Sequence, residues 1–215
     1  AITKIEQARE LLIADANLNG YALTKLASRF MAFTAVRSEP IRFAEPSEFE
    51  DLDGHSPIWR IPAAKMKLDV EQRRQSALDF VVPLARQSVA IIQVAKQLTR
   101  NGPYLFPNVR WPHRPMSENA LSVRYRALPD FAGRHVPHGW RSTFSTIMNE
   151  RAARLGNTGD RAVIDLMLAH QPQGVEPIYN RAAYMDRRRE LAQDWADLLD
   201  VGLPSLEAIL DGRIN

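Results

Sequence analysis

Apolar residues recur with a helical period from the start of the chain. Ile5, Ala8, Leu12 and Ala16, with charges between them, predict an amphipathic helix over residues 3–16. Asn17 to Gly20 break it. Residues 21–36, YALTKLASRFMAFTAV, are apolar on nearly every side, the pattern of a buried helix, and run directly into Arg37. Pro40 and Pro46 interrupt the chain around EFEDLDG, which reads as an acidic turn. From Ile58 the pattern changes. SPIWRIPAAKMK and ALDFVVPL have strand composition on either side of polar DVEQRRQS, predicting two antiparallel strands joined by an exposed basic loop. Lys65 and Lys67, two residues apart at the end of the first strand, would share a face.

Arg86 to Arg100 is a further amphipathic helix, stopped by Asn-Gly-Pro, and YLFPNVRWPHRP is a loop with three prolines. Ser117 is placed to cap a helix that ends near Leu128. Pro137 precedes a helix that begins at His138 and runs to about Arg154. A turn from Gly156 to Gly159 leads to a short apolar helix from Arg161 to Ala169, which ends at His170. After QPQGVEP, residues 178–199 read as one or two helices, and Gly202-Leu203-Pro204 sets off SLEAIL. The expected fold is α+β, mainly α-helical, with a small antiparallel β-sheet of three strands at most. Residues 1–200 are expected to form one domain, and 201–215 a C-terminal tail that packs on it or on a neighbouring protomer.

Composition narrows the function classes. Apolar content of 45% and charged content of 25% are those of an ordinary globular protein. No cysteine is present, which excludes disulfides and Cys-containing metal sites. No stretch approaches the length of a membrane span, and AITKIEQARELL does not look like a signal peptide, so a cytoplasmic protein without a membrane partner is expected. The net charge of +3 is slight, and its distribution matters more than its size.

That distribution draws attention to HVPHGWRSTFSTIMNER. His138 and Arg141, three residues apart at a helix start, lie on one helix face. A second histidine, His170, follows, and nine residues later comes Tyr179. Paired cations on a phosphate, with a hydroxyl as nucleophile, are the parts needed for attack on a phosphodiester. Arginine forks bind phosphate bidentately and stay charged, so they can stand where other enzymes use metal ions. The stretches around His138 and His170 carry no carboxylate set suited to a metal. His135 and His138 have i, i+3 spacing, but no third ligand is evident.

Five segments, in order, resemble the catalytic domain of the tyrosine recombinases, in particular the phage and genomic-island integrases. They are TAVR at 34–37, WRIPAAKMK at 59–67 with VVPLARQ at 81–87, HGWRSTFSTIMNE, LMLAH, and IYNRAAYMDRRRELAQDWADLL. The resemblance implies a site-specific DNA recombinase that cleaves and rejoins DNA through a 3′-phosphotyrosyl link. It would integrate or excise a prophage or genomic island without metal, ATP or other cofactor. Tyr179 would be the nucleophile, with Tyr184 as runner-up. Arg37 and Arg141 would clamp the non-bridging oxygens. Lys67 would protonate the leaving 5′-oxygen, with Lys65 as the alternative lysine. His138 would assist proton transfer, and His170 would hydrogen-bond the phosphate. The implied partners are double-stranded DNA attachment sites, three further copies in a homo-tetramer, and accessory DNA-bending or directionality factors. The implied location is the nucleoid of a bacterial cytoplasm.

The sequence departs from the family pattern in two places. The family's glutamate three residues after the first arginine is here Pro40, with Glu39 beside it. The family's N-terminal DNA-binding region has no counterpart, so a fragment of a longer integrase is expected. Two alternatives stand beside this reading: a catalytically impaired DNA-binding or regulatory domain, and a type IB topoisomerase-like enzyme. Trp59, Trp140 and Trp195 are expected in the core, and Arg187 to Arg189 on a solvated helix face.

Overall fold

A helix that is apolar on every side needs cover on every side, and the second helix of this chain receives it. The computed structural model describes residues 2–100, 102–170 and 184–211. Its helices are α1 (Ile5–Asn17), α2 (Ala22–Thr34), α3 (Ser38–Arg42), α4 (Arg86–Thr99), α5 (Ala120–Arg126), α6 (Gly139–Arg154), α7 (Asp160–Met167), α8 (Met185–Asp200) and α9 (Leu206–Asp211). In α2, Leu26, Ala27, Phe30, Met31 and Ala32 are fully buried, with α1, α4, α8 and α9 packed around them. Trp195 of α8 donates its indole N–H to Ala32 O at 2.8 Å and meets Phe144 of α6 edge-on at 5.4 Å. Among the described residues no helix is long and apolar enough to cross a membrane.

Against α2 lies an antiparallel sheet of β1 (Phe49–Glu50), β2 (Ile58–Ile61) and β3 (Phe80–Pro83), in that order. Trp59 pairs with Phe49 on one side and Val82 on the other. Phe30 joins helix to sheet: its ring centroid is 5.5 Å from Trp59, 6.1 Å from Phe49 and 5.6 Å from Phe106. The mainly helical α+β fold with a three-stranded sheet is therefore as expected, and the three tryptophans assigned to the core are fully buried.

Several local expectations are corrected. The acidic stretch EFEDLDG supplies β1, because Phe49 has an apolar pocket to fill against Trp59. β2 stops at Ile61, since Pro62 has no N–H to continue a ladder. The chain beyond it folds into short 3₁₀ turns at 63–65, 72–74 and 76–78 instead of extending the strand. Lys65 and Lys67 consequently do not share a strand face. Pro40 does not break the chain; it sits in the first turn of α3, where an N–H has no intrahelical partner. α5 is capped by Asn119 and not by Ser117, and no side-chain cap bond forms. The Arg187–Arg189 run is not a solvated face: Arg188 is buried, donates to Val81 O of β3 and stands over the Phe80 ring. Arg187 bridges Asp160 of α7 and Glu190.

One buried ion pair fixes the α1–α2 turn to α5. Arg124 bonds the Asp15 carboxylate at 2.5 Å, and it also donates to the carbonyls of Asp15, Leu18 and Asn19. The close approach requires Gly20, whose φ is +149° and whose hypothetical Cβ would stand 2.6 Å from Arg124 Nη1. Burial pushes the Asp15 carboxyl upward, against the pull of Arg124. Asp15→Ala would leave a buried guanidinium without its counter-charge, and should destabilise the fold by about 3–5 kcal/mol in urea unfolding.

Candidate active site

Four residues predicted from separate segments come together. Arg37 lies between the end of α2 and α3, His138 and Arg141 at the start of α6, and His170 just after α7. Arg141 is at the centre and is buried. Its Nη1 donates to Ala35 O at 3.2 Å and its Nη2 to Leu168 O at 2.5 Å. Nη2 also meets His170 Nε2 at 3.2 Å. A guanidinium has five N–H groups, so these contacts leave roughly two for a phosphate oxygen. With Nε2 of His170 accepting from Arg141, its Nδ1–H faces Asp165 Oδ1 at 3.4 Å. The neutral Nδ1–H tautomer is the one this arrangement fits.

The two carbonyl supports come from the ends of helices that turn left-handed. Ala35, the C-cap of α2, has φ 50°, and Ala169, next to Leu168, has φ 51°. An L-residue pays about 1–2 kcal/mol for that conformation. Both turns aim a carbonyl, or the chain leading to it, at one guanidinium.

The electrostatics of the group are those of an anion site. Burial, then the charge of Arg37, pushes the Arg141 guanidinium down to about 10, still protonated at neutral pH. Burial, then Arg141, Arg37 and His170, holds the His138 imidazole below its usual range. Arg37 and Arg141, like charges that form no ion pair among the described residues, attract an anion, and a phosphate relieves their repulsion.

The remaining candidates are placed differently. Lys65 is occupied: it donates to Phe43 O at 2.6 Å and pairs with Glu45 and Glu48, and Glu48 also accepts the Trp59 indole N–H. Lys67 is exposed, and among the described residues it makes no ion pair and no side-chain hydrogen bond to the four-residue cluster. Glu39 is exposed on α3 and Pro40 is buried, so neither supports Arg37 as the family's glutamate would. Tyr179 lies outside the described residues. Tyr184, the runner-up, is 62% exposed at the N-cap of α8 with φ 58°.

Beneath the cluster is a layer that sequence reasoning did not assign. His135, weighed above as half of a metal pair with His138, is instead buried against Trp140 at 4.9 Å and Tyr125 at 5.7 Å. Neither ring nitrogen has a hydrogen-bond partner among the described residues. A Cβ on Gly139 would stand 2.9 Å from the His135 ring, so the Gly of His-Gly-Trp-Arg is needed for this contact. Trp140 donates to Tyr125 Oη at 2.7 Å, which shares a 2.8 Å bond with Ser28 Oγ of α2. The start of α6 is thereby tied to the core helix. The signal in the sequence was the Gly between His138 and Trp140, which a helix start does not itself require.

Burial pushes His135 down to about 4 from 6.5. The folded state therefore binds fewer protons than the unfolded chain between those values. Stability from this group is intact above pH 6.5 and falls as the pH drops toward 4, by about 3 kcal/mol in all. His135→Phe should flatten that loss, read as the pH dependence of the urea midpoint between pH 7.5 and 4.5.

The chain is similar to known proteins along most of its length. The chain is 34% identical over 185 residues to a prophage integrase, IntZ, of Escherichia coli, covering 84% of this chain and 40% of that protein. It is 30% identical over 189 residues to the integrase of Shigella phage Sf6, covering 87% and 44%. It is 30% identical over 199 residues to the integrase of Enterobacteria phage P4, covering 89% and 44%. No protein-family model and no solved structure matches. Its likeness to these integrases over most of its length supports a phage integrase (tyrosine recombinase) domain, and the chain spans less than half the length of these curated relatives.

Proposed function

We propose that this chain is the catalytic part of a site-specific DNA recombinase that works through a phosphotyrosyl intermediate. The observation that carries the reading is the convergence of Arg37, His138, Arg141 and His170 from separate segments into one cationic group. Arg37 and Arg141 would hold the non-bridging oxygens of the scissile phosphate, with Arg141 turning from His170 to the anion; His170 would hydrogen-bond the phosphate through an Nε2–H gained by taking up a proton, its Nδ1–H staying on Asp165. Tyr179 would attack phosphorus, forming the 3′-phosphotyrosyl ester as the bond to the 5′-oxygen breaks. His138, kept neutral at physiological pH by burial and its cationic neighbours, would take up the phenolic proton. Lys67, exposed where Lys65 is already engaged, would deliver a proton to the leaving 5′-oxygen. Reversal by a 5′-hydroxyl from another strand rejoins the DNA, and the ester conserves the bond energy, so no ATP is consumed. The arginine clamp supplies the charge stabilisation that metal ions give elsewhere. Double-stranded attachment sites, a tetrameric assembly and accessory bending factors complete the reaction, whose outcome is integration or excision of a prophage or genomic island.

The test is adduct formation on a duplex with a nick beside the cleavage position, with and without EDTA. The expected result is a covalent protein–DNA band of equal yield in both. Loss of the band in EDTA would contradict the clamp; binding without any band would favour a catalytically impaired DNA-binding domain.

A further inference from the structure

Between α4 and α5 the chain makes a loop that the catalytic group does not use. Residues 109–114, Val-Arg-Trp-Pro-His-Arg, are all exposed. The loop is nonetheless built. Asn108 Oδ1 accepts the N–H groups of Arg110 and Trp111 at 3.0 and 3.1 Å. Asn108 N–H donates to Arg114 O at 2.9 Å, and Arg114 N–H to Trp111 O at 2.8 Å. Pro107 and Pro115 bridge at its base. Two further bonds fix its root to the segment that follows Arg37: Arg42 Nε donates to Met116 O at 2.9 Å, and Leu105 N–H to Ala44 O at 2.7 Å. α3 alone separates Arg37 from Arg42, a rise of about 7.5 Å.

On this frame Arg110 stands over the Trp111 ring at 5.5 Å, and Trp111 meets His113 at 6.2 Å. Trp111 is 48% exposed, whereas Trp59, Trp140 and Trp195 are fully buried. Among the described residues neither Arg110 nor Arg114 has an ion-pair partner. The adjoining cleft, about 1060 Å³, carries Arg100 and His113 beside Tyr21 and Val109, and no carboxylate among its described lining residues. An exposed aromatic on a hydrogen-bonded loop, flanked by arginines with no ion-pair partner among the described residues, fits a polyanion with stackable or apolar edges.

We propose that the 108–114 loop is a duplex-DNA contact separate from the phosphate clamp, in which Arg110 and Arg114 bind backbone phosphates flanking the cleavage point and Trp111 packs against the sugar edge. It rests on the recombinase reading above. A protein partner would call for carboxylate complements, whereas two arginines on one preformed loop, with no ion-pair partner among the described residues, suit phosphates spaced along a strand. The preformed loop also lowers the ordering cost of binding.

The test uses the full chain and a fluorescein-labelled 30-base-pair duplex of arbitrary sequence, since backbone contact needs no attachment site. Anisotropy gives binding, and acrylamide quenching reports on Trp111, the exposed one of the four tryptophans. Saturating duplex should abolish the quenchable fraction, and Trp111→Phe should remove that signal at the outset. The Arg110→Ala/Arg114→Ala variant should make the slope of log K against log salt shallower by about two contacts' worth, roughly 1.8. A duplex that binds with Trp111 still quenchable and the variant's slope unchanged would overturn the proposal and leave the recombinase reading, judged by its covalent adduct, untouched. Protection of Trp111 that depends on protein concentration without DNA would overturn it in favour of a contact between copies. Failure to bind any duplex would overturn it too; if the nicked substrate still gave its adduct, the loop alone would have failed.

Discussion

Arg141→Lys is expected to slow DNA cleavage by roughly 10²–10³-fold, the usual cost of removing one preorganised donor at a developing charge. Charge is retained in this variant, so duplex affinity should stay near that of the parent. What is lost is the fork. Arg141 spends part of its guanidinium on Ala35 O, Leu168 O and His170, and presents the rest to the anion from a fixed position. An ammonium cannot satisfy two carbonyls and a phosphate in those directions at once. The carbonyls of two left-handed helix ends would lose their partner, which should also cost about 1–3 kcal/mol of stability. Single-turnover cleavage rates measured beside equilibrium affinity separate the two effects. A variant that cleaves at the parental rate would mean that Arg141 is a structural tie between α2 and α7 and takes no part in the chemistry.

Tyr179→Phe should remove covalent adduct formation altogether while leaving duplex binding within about twofold, because the substitution takes away only the nucleophilic oxygen. The effect is all or none, since no hydroxyl is left in that position to attack phosphorus. Gel-shift affinity and denaturing-gel adduct yield on the same samples check it. Tyr184→Phe serves as the matched control and should retain the adduct. Tyr184 is exposed at the N-cap of α8 and makes no hydrogen bond to Arg37, His138, Arg141 or His170 among the described residues.

The positions of Arg37, His138, Arg141 and His170 were legible because each sits in a local pattern: an arginine at the end of a buried helix, a His and Arg three apart at a helix start, a histidine at the end of a short apolar helix. What holds them was not legible. The supports of Arg141 are backbone carbonyls, which any residue can supply, and Ala35 and Ala169 adopt a left-handed conformation for which glycine is the usual signal. Asp165 stands five residues before His170, a spacing that places it on no shared helix face, and it reaches the ring only because the chain reverses after α7. The lysine hairpin misled for a related reason: strand composition continues through Pro62, but the missing N–H ends the ladder, and the turn that follows hands Lys65 to Glu45 and Glu48. The fold class followed from apolar periodicity, most clearly in α2. β1 lay hidden in an acidic stretch, because one buried phenylalanine outweighs its charged neighbours when only two residues pair.

The most direct test is to locate the DNA on the protein. A nicked duplex carrying the element's attachment site would trap the adduct, and digestion by trypsin and nuclease would leave a short nucleotide on one peptide. Arg181 lies between the two candidate tyrosines, so Tyr179 falls in peptide 162–181 and Tyr184 in peptide 182–187. The nucleotide is expected on 162–181, and the adduct yield should collapse in Arg141→Lys. A nucleotide on 182–187, or an undiminished adduct in Arg141→Lys, would contradict a tyrosine nucleophile at 179 acting on a phosphate held by the arginine clamp.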